Sequence, residues 1–188
     1  YFNKISDKKD SLTLLNTSFS IEGAYIYLPK SVTAEKPIEI MHFSTGKQGD
    51  FFLQPRNLII VEENAEVQIL ERHQSLSNHR PFTNSVTEIY AKDSSRIDYY
   101  KIQNDREEAY LIDNTYISQN TKSNVHVHTF SFGGEITRNN LNFYQNGENC
   151  NSTLNGLTII NANQHVDHYT LVSHAKPNCE SHQEYKGI

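Results

Sequence analysis

The sequence is poor in several residue types, and each shortage narrows what the chain can be. It has no Trp, one Met, two Cys and five Pro in 188 residues. Two cysteines are too few for a disulfide-built scaffold or a four-cysteine zinc or iron–sulfur site within this chain. No stretch approaches the roughly 20 apolar residues of a transmembrane helix. The start at Tyr1 has neither signal-peptide features nor a Met, so we expect a cytoplasmic internal piece of a longer protein with no membrane partner.

Charge is nearly balanced and shows no cluster of one sign. The chain has 17 Lys and Arg against 22 Asp and Glu, which gives a net charge of −5. A nucleic-acid partner would require a clustered basic face. We therefore expect no nucleic acid among the partners.

The residues that are abundant favour turns and strands. There are 20 Asn, 11 Tyr and 9 Phe, and Asn favours turns while Tyr favours pleated strands. No segment has a convincing amphipathic helical pattern. We expect at most short helical turns at Lys8–Leu15 and Asn104–Tyr110.

A strand–turn–strand unit recurs along the chain every 25 to 30 residues. The residues that we align just after each turn are Val67, Ile97, Val125 and Cys150. Such a period is typical of a solenoid, and alternation with period two indicates coils built from strands. We therefore predict Val67, Ile97 and Val125 to point inward in successive coils.

The pattern predicts an all-β fold, a parallel β-helix, with a β-sandwich as its competitor. Sandwich hairpins favour two-residue Asn-Gly turns between adjacent strands, and only Asn146-Gly147 fits that role. We predict a single domain over residues 1–188, with N-terminal coils or a cap in 1–54 and repeating coils in 55–188.

Histidines are the first candidates for metal chemistry. His126 and His128 are two residues apart on a predicted strand, so both side chains project from one face. If Val125 and Val127 fill the interior, however, these histidines simply occupy the solvated face. His174 lies further along the chain, and imidazole is a competent zinc, iron or manganese ligand.

The two cysteines are about one repeat apart, so Cys150 and Cys179 could stack in neighbouring coils. They could be small buried hydrophobes, a reactive or ligating thiol, or a disulfide. Cys179 is the stronger candidate for chemistry, because it lies in a polar run between His174 and His182.

No complete set of ligands or of nucleophile and base has a readable spacing in this chain. Phosphate-binding glycine loops, HExxH helices, GxSxG elbows and CxxC pairs are all missing. We therefore expect no enzymatic activity and no tightly held metal or cofactor. The candidate metal ligands are His126, His128, His174 and Cys179.

Several segments resemble the SufB/SufD family of iron–sulfur cluster assembly proteins, and SufD more than SufB. The resemblance covers nearly the whole chain and is most specific in its last third. The segments that carry it are Gly23–Lys30, Pro55–Ala65, Asn84–Tyr90, Tyr99–Gln103, Thr153–Leu157, Gln164–Thr170, His174, Pro177–Cys179, Ser181 and Tyr185–Ile188.

This resemblance implies a right-handed parallel β-helix and a scaffold role without catalysis. It implies pairing with SufB through the β-helices, and a SufC ATPase bound through a C-terminal helical region that has no counterpart before Ile188. It also implies that the iron–sulfur cluster forms in the full complex. Because a β-helix cut at Ile188 would expose an unpaired coil, we expect this piece to form a homodimer or otherwise to cover that coil.

A function of another class is a carbohydrate-active or carbohydrate-binding β-helix protein of the pectate-lyase type. It would need Asp or Glu clustered with Arg or Lys on one outer sheet face. The repeat register does not assemble such a cluster.

Overall fold

The chain folds into stacked coils made almost entirely of parallel strands. The computed structural model describes residues 1–45, 49–76, 79–161 and 163–188. It is 57% strand and 5% helix, arranged as a β-helix of about five turns. The strands, in chain order, are β1 (Tyr25–Leu28), β2 (Ile38–Ser44), β3 (Phe51–Leu53), β4 (Arg56–Val61), β5 (Glu66–Ser75), β6 (Pro81–Ala91), β7 (Arg96–Gln103), β8 (Tyr110–Gln119), β9 (Asn124–Ser131), β10 (Ile136–Gln145), β11 (Asn151–Thr158), β12 (His165–His174) and β13 (Glu180–Gly187).

Two parallel sheets enclose the interior. The first has the order β1-β4-β6-β8-β10-β12, with β3 also paired to β6. The second has the order β13-β11-β9-β7-β5-β2. Consecutive long strands lie in opposite sheets, so no antiparallel hairpin forms across Lys92–Ser95 or Gln119–Lys122. The parallel β-helix is confirmed and the β-sandwich is excluded.

The predicted inward ladder is also confirmed, with one error of register. Val67 pairs with Ile97 and Ile97 with Val125, and all three side chains are buried. The next member is Ser152, not Cys150. The prediction placed Cys150 two positions too early, and the turn before β11 accounts for one of them, because it is one residue longer than the turns before β5, β7 and β9. Cys150 instead lies next to Ser123, with Ser123 Oγ 3.9 Å from Cys150 Sγ.

One corner of the coils repeats with the same backbone conformation. Asn64, Ser94, Lys122, Asn149 and Asn178 all have φ between 55° and 60°. Their amides donate along the stack: Asn64 to Asp93 O at 3.0 Å, Ser94 to Thr121 O at 2.9 Å and Lys122 to Glu148 O at 2.8 Å. The left-handed residue turns the chain from one sheet to the other while its N–H stays satisfied by the neighbouring coil.

The N-terminal residues contain the one helix of the described part of the chain, α1 (Ser11–Phe19). The Asp10 side chain caps it by accepting from Thr13 N at 2.7 Å. The short helical turn expected at Lys8–Leu15 therefore begins later and continues further. The turn expected at Asn104–Tyr110 was wrong as a helix, because that stretch is a loop leading into β8.

Much of the interior between the two sheets is apolar. Ile59, Ile89, Ile117 and Phe143 stack in register across the first sheet and are fully buried. Burying each of these side chains contributes about 1.5–3 kcal/mol. The second sheet contributes Val67, Ile69 and Ile97 to the same apolar core. Toward the ends of β5 and β7 the inward residues are polar instead, and this region contains the candidate site.

Candidate metal centre

The polar part of the interior follows from the alternation of inward and outward residues along β5. Val67 and Ile69 point inward, and the next two inward positions of the same strand are Glu71 and His73. Both are buried, with Glu71 0% and His73 5% exposed. The β-helix therefore places a carboxylate and an imidazole in its core beside the apolar ladder.

A third group joins them from the neighbouring coil. His42 on β2 is in register with His73 on β5, and the two rings stack with centroids 4.5 Å apart and an interplanar angle of 17°. Stacking directs both Nε2 atoms toward one carboxylate oxygen. His42 Nε2 lies 2.9 Å and His73 Nε2 3.6 Å from Glu71 Oε1.

Two further side chains fix the Glu71 carboxylate. Asn57 Nδ2 donates to Oε1 at 2.7 Å, and the Tyr99 hydroxyl donates a short hydrogen bond to Oε2. Burial alone would raise the pKa of Glu71, but the hydrogen bond from His42, the neighbouring His73 imidazole and the Lys101 charge hold it well below its usual range. The same burial, with the charge of Glu71, raises the pKa of Tyr99 well above its usual value. The site therefore contains an ionised carboxylate and a neutral phenol.

In the next coil, the inward residue beside Glu71 is Lys101, which forms a buried ion pair. Lys101 is in register with Glu71, and its Nζ lies 2.5 Å from Asp113 Oδ2 and 2.6 Å from Thr115 Oγ1. These groups satisfy the ammonium, so it is a supporting charge beside the Glu71 carboxylate and not a free one.

His42 and His73 border a cavity of about 380 Å³ at this end of the β-helix. The His42 side chain is 18% exposed, so small solutes can reach the ring. The half-buried Asp105 lines the same cavity, and burial raises the pKa of its carboxyl. The cavity gives small solutes a route to the two imidazole rings.

Among the described residues, His42, Glu71 and His73 are the group of three or more His, Cys, Asp or Glu side chains that could hold a metal ion. Their ligand atoms all lie within 4.8 Å of one another. Two imidazole nitrogens and one carboxylate oxygen form a donor set suited to divalent transition metals.

The histidines singled out from the sequence lie elsewhere, on the outer face of β9. Val125 and Val127 are fully buried, and His126 and His128 alternate with them toward the outside. His126 Nδ1 pairs with Asp98 Oδ1 at 2.8 Å.

His128 stacks on Tyr100, with ring centroids 5.0 Å apart. Burial and the nearby His126 charge lower the pKa of His128. The two residues of the His126–His128 pair therefore have separate protein partners and do not converge on one point.

His174 and Cys179 do not join a metal group either. His174 Nε2 lies 3.2 Å from Ser181 Oγ. Cys179 instead lies beside Cys150: the two thiols both donate toward Gly147 O, at 3.3 and 3.2 Å. Both cysteines are free, so they stack as predicted without forming a disulfide. Burial raises the pKa of Cys150, which keeps it a thiol.

The sequence contained a signal for the buried trio that the motif search missed. Glu71 and His73 are in phase with Val67 and Ile69, and His42 is in phase with Ile38 and Ile40. A charged residue in phase with inward apolar residues of a strand is predicted to be buried. The pairing of His42 with His73 depends on coil register, which spacing alone does not set.

Among the described residues, the structure contains no helix with the length and apolar character of a membrane span.

Comparison with protein families matches residues 42–188 to the SufBD core domain of SUF-system iron–sulfur cluster assembly. Residues 1–40 match the SufBD N-terminal region.

Curated relatives agree with these matches. An iron–sulfur cluster assembly SufBD family protein of Synechocystis is 26% identical over the whole chain, covering 43% of the relative. SufD of Escherichia coli is 24% identical over 93% of the chain and 42% of the relative. The Bacillus subtilis SufD is 28% identical over 55% of the chain and 24% of the relative. The chain thus spans less than half the length of these relatives. It belongs to the SufBD family of iron–sulfur cluster assembly proteins, and is most like SufD.

Proposed function

We propose that this chain is the β-helix core of a SufD-like scaffold that pairs with a SufB-type protein and works with a SufC-type ATPase in the cytoplasm. In this proposal the iron–sulfur cluster is the product assembled by the full complex. The chain contributes shape and contact surface and catalyses no reaction.

The observation that carries the proposal is the extent of the core-domain match. It runs over residues 42–188, and the stacked coils from β2 to β13 occupy the same stretch. A β-helix of parallel ladders is a rigid rod with long sheet faces, which suits a protein that holds partners in fixed positions. The buried charged groups also support a structural role, because Arg56 pairs with Glu88 and Lys101 with Asp113.

Co-purification tests the proposal. The full-length protein that contains this chain is tagged and expressed with the SufB-type and SufC-type proteins of the same organism. We expect a stable complex that contains all three. Recovery of a folded tagged protein without either partner would contradict the proposal.

Light scattering on the chain alone measures whether it forms a homodimer, as its resemblance to pairing β-helices implies.

The carbohydrate-active alternative is tested in the same preparation. Depolymerisation of pectate with calcium is measured by the absorbance of the unsaturated products. We expect no activity. Sustained turnover by the purified chain would contradict the scaffold role.

A further inference from the structure

We propose that His42, Glu71 and His73 form a binding site for one divalent first-row transition metal ion of the Fe²⁺ or Zn²⁺ class. This goes beyond the proposed function, since a scaffold that pairs with other proteins requires no metal inside its own first coils.

The first support is convergence. Both imidazole Nε2 atoms face the same carboxylate oxygen, at 2.9 and 3.6 Å. Ligand atoms around a metal lie about 2.0–2.2 Å from the ion, so neighbouring ligands are separated by roughly 3 Å. The two nitrogen–oxygen separations are close to that value and all three ligand atoms lie within 4.8 Å of one another, so a small adjustment of the side chains brings them around a common point. An ion there replaces the His42–Glu71 hydrogen bond.

The second support is an unused nitrogen. His73 Nε2 is buried and has no hydrogen-bond partner, and the His73 side chain is 6% exposed. At 3.6 Å it is too far from Glu71 Oε1 for a hydrogen bond. Buried polar atoms in native proteins nearly always have a partner. This nitrogen is aimed into the site, and a metal ion would supply the partner.

The third support is that the carboxylate is already oriented. Asn57 donates to Oε1 of Glu71 and Tyr99 donates to Oε2, so both oxygens are held in place. Outer partners of this kind fix the direction of a ligand and are a regular part of metal sites.

The donor set indicates the kind of metal. Two histidines and one carboxylate with open positions are typical of non-haem Fe²⁺ sites, and zinc accepts the same ligands. The cavity of about 380 Å³ beside the histidines leaves room for water or a further ligand at the open positions. The carboxylates of Glu22 and Asp105 line the same space. Soft thiolate metals are disfavoured, since neither cysteine belongs to the group.

Metal titration of the purified apo-protein tests the site. Co²⁺ serves as a spectroscopic probe through its d–d absorption, and Fe²⁺ is added under anaerobic conditions with bound metal measured after equilibrium dialysis. We expect one equivalent of either ion and a rise in Tm on loading, because the ion binds only the folded state.

Variants assign the ligands. His42→Gln and His73→Gln should each weaken Co²⁺ binding more than about tenfold, since loss of an outer partner alone costs about 10- to 100-fold in affinity. The matched control is the double variant His126→Gln, His128→Gln, which removes two histidines from the outer face and should bind Co²⁺ like the parent. Circular dichroism checks that each variant is folded. His42 lies on the edge strand β2 and is partly exposed, so its variant decides if His73→Gln does not fold.

Two results would overturn the proposal. One is the absence of saturable Co²⁺ or Fe²⁺ binding to the parent protein up to about 1 mM. The other is stoichiometric binding that folded His42→Gln retains, which would place the ion elsewhere. Neither result bears on partner binding, so the outcome is separate from that of the scaffold proposal.

Discussion

Glu88 is a carboxylate on the outer face of β6 that is nevertheless fully buried. The chain between Asn3 and Ser6 wraps around it, and four consecutive backbone amides point at its oxygens at 2.7 to 3.3 Å. Arg56 adds a buried ion pair at 2.7 Å. One side chain thus fastens the N-terminal segment to the first sheet.

Replacing this carboxylate should release the segment. Glu88→Ala removes the carboxylate that neutralises Arg56, which keeps only neutral acceptors such as Thr17 Oγ1 at 3.0 Å, and it leaves four amides without their acceptor. Loss of one partner of a buried pair costs about 3–5 kcal/mol. We expect that loss in the free energy of unfolding by denaturant, with faster amide exchange in the first residues.

The exposed pair Lys30–Glu63 provides the control, with side chains 61% and 45% exposed. Glu63→Ala should change stability by less than about 1 kcal/mol. An equal loss of unfolding free energy in Glu88→Ala and Glu63→Ala would contradict the idea that burial makes the Glu88 interactions strong.

His168 contributes to stability in a way that depends on pH. Its Nε2 lies 2.9 Å from Thr158 Oγ1, and burial, aided by the Lys101 charge, lowers its pKa below 6.5. Between pH 6.5 and that lower value the unfolded chain binds a proton that the native state does not. The stability contributed by His168 therefore falls as pH falls through this window.

We expect His168→Gln to remove this part of the acid sensitivity. The measurement is the difference in unfolding free energy between parent and variant from pH 8 to pH 5. Thr158→Ala is the control, because it removes the hydrogen bond and leaves a titrating His168. Parallel stability curves for the parent and His168→Gln would contradict the assignment.

At the scale of elements, the shared corner is the part of the coil with the strictest backbone requirement. Asn tolerates a left-handed conformation, but Lys122 adopts φ 60° without that advantage. A β-branched side chain is least compatible with this conformation.

The stability of variants at this corner should decrease from Asn to a β-branched residue. Lys122→Val is expected to destabilise the protein by about 1–2 kcal/mol, whereas Lys122→Asn should be neutral or slightly stabilising. Thermal unfolding of the two variants beside the parent measures both. If Val were tolerated as well as Asn, the corner would not hold its left-handed conformation in solution.

The strands themselves could be predicted from sequence because each alternates in a way that its own residues reveal. Val67 and Ile97 define an inward face, and the turn residues after β4 and β6 mark where the chain changes sheet. Helix α1 was harder, since its stability comes from packing on β6, as when Asn16 donates to Asn84 O at 2.8 Å. Propensity does not report such tertiary contacts.

At the scale of the whole molecule, the site depends on register between coils. His42 and His73 are 31 positions apart in sequence and meet only because β2 pairs with β5 in one particular offset. Coil lengths vary from one turn to the next, as the error at Cys150 showed. A motif search that assumes fixed spacing cannot find a group assembled in this way, whereas the phase of each strand reveals which residues are inside.

The repeating corner also determines where the molecule can accommodate extra sequence. Glu62–Ala65, Lys92–Ser95 and Asn120–Ser123 connect their strands with the same length and the same hydrogen bonds along the stack. On the other side the connections differ, with 104–109 longer than 132–135. Insertions are absorbed best where the backbone is not tied to the coils above and below. The two ends of 104–109 are tied to neighbouring coils, since Asn104 N donates to His73 O at 3.3 Å and Glu135 N to Ala109 O at 2.8 Å, but Glu107 and Glu108 are exposed. For protein engineering, the position between Glu107 and Glu108 is therefore a place to insert an epitope or a fluorescent label without disturbing the rod, whereas the same insertion at Lys92–Ser95 would interrupt the stack at its centre.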